Sequence, residues 1–250
     1  MRQPFASFRC SWFRPLAMLI AAPGASLATA QASPPEIRQI VTFQFLPGRA
    51  AEAIQIYQSQ LRPIYQDITP LLRFRGYQES ESPEPLDLIV VSSYQGMEGM
   101  DRANEALRKP SPTGRSAFEL YGTLSAMTQQ HHDQFVEIIA SLSDTATGSA
   151  GLTIFQYIRL APGVSARFER LLLQIRPVER DQHLTQWSET GRMLVSDGWD
   201  YLRIIGVGSL GQWQHYITRL RSTPLGRALE PMIAARKTII VRGVPPLAVR

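Results

Sequence analysis

Histidine beside an acid is the first place to look for proton chemistry, and the chain has one such stretch, His131-His132-Asp133. Either ring could serve as a general base or as a ligand to haem iron. Adjacent residues of a strand point to opposite faces, so on a strand His131 and Asp133 share one side and His132 stands alone on the other. The plainer reading is a polar strand start at a sheet rim. A second set of chemistry-bearing residues recurs at alternate strand positions: Gln44, Arg73, Arg75, Tyr77, Tyr157, Arg159, Tyr201 and Arg203. Arginine offers a planar donor fork suited to carboxylates, and tyrosine offers aromatic area with a polar handle. A merely solvated face would mix both charge signs; the plainer reading is a partly exposed face, or one paired with the acidic loop at 79–84.

Other motifs carry less. Glu179 and His183 lie four apart and would share a helix face, which suits an ordinary exposed pair better than a metal. His215, in Trp213-Gln214-His215-Tyr216, reads as part of a helix core and rim. There is no HExxH or CxxC spacing, so no metal is expected. Gly206-Val207-Gly208-Ser209-Leu210-Gly211 fits G-x-G-x-x-G, but a dinucleotide site needs a parallel βαβ unit. Asp197-Gly198 just before it signals an antiparallel hairpin. There is no Walker A lysine pattern and no G-x-S-x-G elbow. No cofactor is expected.

The elements that must position these residues come in two rounds. Phe43-Gln44-Phe45-Leu46-Pro47-Gly48 returns 115 positions later as Ile158-Arg159-Leu160-Ala161-Pro162-Gly163. Arg62-Pro63-Ile64 is answered by Arg176-Pro177-Val178, Asp87 by Asp200, and Pro112-Thr113-Gly114-Arg115 by Pro224-Leu225-Gly226-Arg227. Ordered landmarks with a slowly drifting offset indicate an internal repeat. Hydrophobic period predicts strand 37–46, helix 49–67 with a kink near Pro63, strands 71–78 and 87–94, helices 98–108 and 115–128, and strand 129–139. After a Ser/Thr/Gly/Ala-rich linker at 141–151 come strand 152–160, helix 164–187, strands 191–196 and 199–207, helices 211–221 and 225–235, and strand 237–242. The fold class is α+β, two tandem ferredoxin-like β-α-β-β-α-β repeats at 37–140 and 152–243.

Composition narrows the setting. Arg2, Arg9 and Arg14, the short apolar run from Leu16 to Ala22, and Ala30-Gln31-Ala32 read as a secretory signal peptide over 1–32, implying a periplasmic or secreted protein. The whole chain carries 26 Lys+Arg against 21 Asp+Glu, but three arginines and the lone Cys10 lie in that segment. The remaining +2 gives no electrostatic case for nucleic acid, and without cysteine there is no disulfide or thiol chemistry. No later apolar run is long enough to span a membrane.

The apolar strand stopping at Pro-Gly, the long helix, the hairpin and the split second helix together resemble the dimeric α/β-barrel superfamily. It includes EthD-like, NIPSNAP-like and antibiotic-biosynthesis-monooxygenase-like domains. The resemblance covers nearly all of the chain after residue 36 and is one of pattern, without a signature motif. It implies two sheets packed face to face into a barrel with helices outside. The two copies close one barrel within the chain, or each pairs with another chain in a homo-oligomer. Val41, Phe43, Phe45, Leu72 and Phe74 would then face the helices, with Thr42, Gln44 and the arginine and tyrosine set facing the lumen. Chlorite-dismutase-like and dye-peroxidase-like haem proteins use tandem domains of this kind, but their haem-ligand motifs find no match here. Two functions stand close together. One is a cofactor-free enzyme acting on an anionic or aromatic small molecule, with a proton moved by His131 or His132. The other is a non-catalytic protein binding such a ligand in the same place. A haem protein and a purely structural assembly stand behind them.

Overall fold

The computed structural model describes residues 33–79, 86–111, 114–144 and 150–244. The expected signal segment, Pro112 and Thr113, most of the acidic loop, the linker centre and the last six residues lie outside the described residues. From Pro34 onward the chain is one compact unit.

Two rounds of the same element order make that unit. The first is β1 (Glu36–Phe45), α1 (Ala50–Ile56), a π-helical turn (Tyr57–Leu61), α2 (Arg62–Gln66), β2 (Leu71–Glu79), β3 (Leu88–Gln95), α3 (Gly96–Arg108), α4 (Ala117–Ser125) and β4 (Thr128–Ile138). The second is β5 (Leu152–Leu160), α5 (Ser165–Asp181), β6 (Trp187–Val195), β7 (Tyr201–Val207), α6 (Leu210–Ser222), α7 (Pro224–Leu229) and β8 (Ile233–Gly243). β1 and β5 both stop at Pro-Gly, where Gly48 and Gly163 take φ of 78° and 77°, a region that favours glycine. The disturbance expected at Pro63 is the π turn, which absorbs the backbone partner that proline cannot supply.

The rounds match bond for bond. Asp87 Oδ2 accepts from the Phe45 amide at 2.7 Å, and Asp200 Oδ2 accepts from the Leu160 amide at 2.7 Å. The Asp87 and Asp200 amides in turn donate to the carbonyls of Phe43 and Ile158, each at 2.9 Å. Leu46 N–H donates to Met127 O and Ala161 N–H to Met232 O, each at 2.8 Å.

The eight strands close into a single barrel in the order β1-β3-β2-β8-β5-β7-β6-β4, every neighbouring pair antiparallel. One chain therefore closes the barrel alone, through β2–β8 and β4–β6, leaving no sheet edge to be paired. β7 runs antiparallel to both neighbours, so the Gly206–Gly211 motif is not a dinucleotide loop. Gly206 answers to packing. A Cβ on Gly206 would overlap the Trp187 indole, and the Gly208 carbonyl lies where a Cβ on Gly151 would be.

Closure divides side chains into lumen and helix sides. Ile40, Tyr77, Ile89, Val91, Val136, Phe155, Leu202, Ile204, Ile239 and Val241 fill the waist of the lumen. Phe43, Phe45 and Phe74 pack under the helices of the first half, and Ile158, Leu160 and Tyr201 under α5 and α7. Losing one such side chain, for example Ile40→Ala, costs about 2–5 kcal/mol.

Several expectations need correction. Leu72 is exposed, because the β2–β3 register slips between Leu71 and Arg73. The second long helix ends at Asp181 rather than 187, at His183 with φ 50°, and β6 begins at Trp187 rather than 191. The last helix gives way to β8 at Ile233 rather than running to 235. Within the expected linker, Leu142 is buried and Asp144 accepts from Arg176 at 2.6 Å.

Candidate functional site

β4 is where sequence pattern and chemistry meet. Its first six residues are polar and its last five include buried Val136 and Ile138, so one end of the strand is solvated and the other anchored. Alternation sends Gln130, His132 and Gln134 into the lumen and His131 and Asp133 toward the helices. The three residues are thus split across the barrel wall, as strand alternation predicts. Only His132 faces the lumen.

A pocket of about 280 Å³ opens into the lumen beside it. Thr42 and Gln44 of β1 stand opposite His132 and Gln130 in the ladder. Tyr157 and Lys237, paired across β5 and β8, form the far wall with Ile239 and Leu86. Asp197 and Trp199, from the β6–β7 turn, form the rim.

That turn is held firmly. Gly198 has φ 80°, and Ser196 Oγ donates to the Trp199 carbonyl at 2.6 Å. Arg159 Nε donates to the Gly198 carbonyl at 2.7 Å, and its guanidinium carbon lies 5.2 Å from the Trp199 ring centroid, within cation–π range. Tyr157 and Trp199 lie 6.0 Å apart, an aromatic pair joining the far wall to the rim. Burial pushes the Tyr157 phenol well above its ordinary range, so it offers a neutral hydroxyl.

Gln130 and His132 stand at the exposed end of this face of β4, and Gln134 lies deeper. Gln130 Nε2 lies 2.6 Å from His132 Nε2; as the amide donor it leaves Nε2 the acceptor and places the proton of the neutral ring on Nδ1. Gln134 is 8% exposed, and its Oε1 is buried without a hydrogen-bond partner. A buried acceptor left without a donor costs roughly 1–3 kcal/mol.

The other end of the lumen is occupied by charge. Arg38 donates to both oxygens of Glu189, at 2.5 and 2.7 Å, and Arg73 reaches Glu189 at 3.2 Å. Arg38 also bonds Glu36 at 2.9 Å. Burial alone would raise the Glu36 carboxyl, but Arg38 and Arg73 more than offset it and hold it below the usual range. Arg75 bonds Tyr77, whose ring sits edge-on to Phe155 at 5.4 Å.

Gln44 and Tyr157 therefore line the pocket as expected, and Arg159 braces its rim. Arg73, Arg75 and Tyr77 face the lumen but beyond its apolar waist, committed to other partners. Tyr201 and Arg203 do not face the lumen. Tyr201 donates to Glu169 of α5 at 2.6 Å, and burial together with that carboxylate pushes its phenol up to about 12. Arg203 is buried against Glu179 at 2.8 Å and Tyr216 at 2.9 Å. The repeat carries the signal for this: Tyr201 and Arg203 correspond to Leu88 and Val90, which are apolar and face the helices. Glu179, turned inward to Arg203, is unavailable to His183. Gln130 and Gln134 follow from His132 by strand alternation, whereas Trp199 and Lys237 have no signal beyond lying in a turn and on a strand.

Among the described residues no group of three or more His, Cys, Asp or Glu is placed to hold a metal ion, and no helix is long and apolar enough to cross a membrane.

No protein-family model matches the chain, and no curated protein matches it. Solved structures do. A candidate monooxygenase of Lactobacillus acidophilus NCFM superposes with a TM-score of 0.62 at 9% identity, covering 86% of this chain and 96% of its own. An anthrone oxidase-like protein gives 0.59 at 10% identity, covering 85% and 92%. A heme-binding protein of Thermus thermophilus gives 0.54 at 11% identity, covering 85% and 92%. At these identities the likeness shows the fold alone, an antiparallel α+β barrel with helices outside.

Proposed function

We propose that this chain handles a small organic molecule in the lumen pocket, a neutral aromatic compound bearing a hydrogen-bond donor. The carrying observation is the unpartnered Gln134 Oε1, which lines a pocket walled by Tyr157 and rimmed by Trp199. A volume of about 280 Å³ is at the small end of ligand sites, so one or two rings fit. An anionic ligand loses its main support, because Arg73, Arg75, Arg159 and Arg203 all have other partners.

His132 is the group that would accept a proton from such a ligand, as in a cofactor-free enzyme. A non-catalytic binding protein is the second reading, favoured by one observation: the partner of His132 is Gln130, not a carboxylate that would orient and strengthen a base. Haem fits poorly. His132 faces the lumen, but the pocket beside it holds only about 280 Å³ and ends at a packed apolar waist, while His131 is 58% exposed on the outer face and His183 and His215 are exposed beyond the wall.

Three further readings belong here. The matched bonds of Asp87 and Asp200 support two copies of one ferredoxin-like unit. EthD-like or NIPSNAP-like kinship rests on the element pattern. Export rests on the composition of residues 1–32, and N-terminal sequencing from an exporting host tests it.

The functional test is native mass spectrometry of residues 33–250 from such a host. A small-molecule adduct on the wild type that Gln134→Leu lacks is expected. An adduct of equal occupancy on both proteins would refute the lumen reading.

A further inference from the structure

The near-neutral balance of the chain hides a division between its two rounds. Residues 33–149 carry 9 Lys+Arg against 14 Asp+Glu, and residues 150–250 carry 14 against 7. Six arginines of the second round, Arg167, Arg170, Arg180, Arg219, Arg221 and Arg227, are exposed on α5, α6 and α7, the helices that cover its half of the barrel.

These helices make one layer. Leu172 and Ile175 of α5 share a buried cluster with Leu229 of α7, and Leu220 of α6 packs against it. Arg219 Nε of α6 donates to Gln182 Oε1, just past the end of α5, at 2.9 Å. Helical period sets which face is basic. Phe168, Leu172, Ile175 and Glu179 turn α5 inward, while Arg170, Leu173, Pro177 and Arg180 recur at three- and four-residue steps on the opposite, exposed face.

The acids of the layer are mostly committed. Glu169 is held by Arg192 at 2.7 Å and Tyr201 at 2.6 Å, and Glu179 is buried against Arg203. Glu230 lies between Arg236 at 3.2 Å and Arg221 at 3.8 Å. Asp181, at the end of α5, is the exposed carboxylate that stays beside the arginines. The first half contrasts: Glu98, Asp101 and Glu105 are exposed on α3, and Arg49 and Arg102 pair with Glu52 and Glu98 at 2.7 and 3.7 Å.

We propose that the α5–α7 layer docks this protein on the phosphate headgroups of an anionic bilayer, with the second half toward the lipid. The planar fork of arginine suits phosphate oxygens. Exposed apolar side chains favour a bilayer over a soluble polyanion: Leu173, within the arginine stripe, is 45% exposed, and Leu210, at the start of α6, is 36% exposed. Basic faces that also carry large apolar side chains settle at the boundary between headgroups and acyl chains. Docking is independent of the lumen ligand.

The test is cosedimentation of residues 33–250 with vesicles of equal parts phosphatidylcholine and phosphatidylglycerol, and with vesicles of phosphatidylcholine alone. Binding to the anionic vesicles only is expected, weakening as salt rises. Arg167→Gln, Arg170→Gln and Arg180→Gln together should cut it on the order of a hundredfold, about fivefold per charge, with Tm unchanged. Leu173→Ser should weaken it with the same salt dependence. Gln134→Leu, in the lumen, should bind vesicles as the wild type does. No sedimentation with the anionic vesicles at low salt, equal binding to both kinds of vesicle, or binding indifferent to the triple substitution would overturn the proposal. Release from the vesicles by soluble polyphosphate, with Leu173→Ser without effect, would also overturn it and assign the layer to a soluble polyanion.

Discussion

His131 and His132 are neighbours in the chain and stand on opposite faces of the barrel wall: His132 Nε2 meets Gln130 in the lumen, and His131 Nε2 lies 3.6 Å from Asp133 on the helix side. The two rings cannot serve one reacting group. His132→Ala is expected to reduce retention of the lumen adduct in native mass spectra, and His131→Ala to leave it unchanged. Equal effects of the two substitutions would contradict the assignment.

The rim depends on Arg159, which ties the Gly198 carbonyl and covers Trp199. Arg159→Ala should weaken ligand binding about two- to fivefold, the size of an exposed cation–π contact. Intrinsic tryptophan fluorescence should also respond, because Trp199 loses its cover.

Glu189 takes both Arg38 and Arg73 inside the barrel. Glu189→Ala strands a buried guanidinium and should cost about 3–5 kcal/mol. That corresponds to a fall in Tm on the order of 10 °C for a chain of this size. The double substitution Arg38→Met with Glu189→Met should recover most of the loss, as followed by thermal unfolding.

Acid should destabilise the fold through Glu36 and Asp144. Burial works to raise both carboxyls; Arg38 and Arg73 more than offset it at Glu36, and Arg176 with the Ser188 amide at Asp144, so both are held below the usual range. A carboxyl depressed in the folded state contributes stability that is fully present above its unfolded value, about 4.3 for Glu and 3.9 for Asp, and is lost as pH falls through the folded value. Urea midpoints should therefore be flat from about pH 7 to 5 and fall below about pH 4. A midpoint that rises on acidification would contradict this.

Gly206 makes room for Trp187, so Gly206→Ala should destabilise by about 1–3 kcal/mol through overpacking. Gly211→Ala, in the first turn of α6, meets only Ser209 Oγ at ordinary contact distance and should be neutral or mildly stabilising. Chemical denaturation of the two variants separates a packing role from a nucleotide loop, in which both would matter for binding rather than for stability.

Much of this architecture was legible in the chain. The recurrence of Pro-Gly after an apolar strand and the Asp87–Asp200 correspondence follow from local backbone needs, and local needs leave sequence traces. Side-chain phase was harder. Tyr201 and Arg203 look inward by polarity, yet each is satisfied by an acid on α5, and pairings across 24 or more residues leave no periodic mark. Leu72 fell to a bulge that no residue type announces. The pocket was half visible: strand alternation carries Gln44, His132 and Tyr157 inward, but Trp199 reaches the rim only because Arg159 and Ser196 fold the β6–β7 turn over it.

The most direct measurement is a crystal structure of residues 33–250 purified with its native small-molecule content. The account predicts a bound molecule with a donor atom about 2.7–3.2 Å from Gln134 Oε1 and a planar group against Tyr157 and Trp199. A lumen in which the Gln134 amide turns to bond neighbouring side chains, with no bound molecule against Trp199, would contradict it.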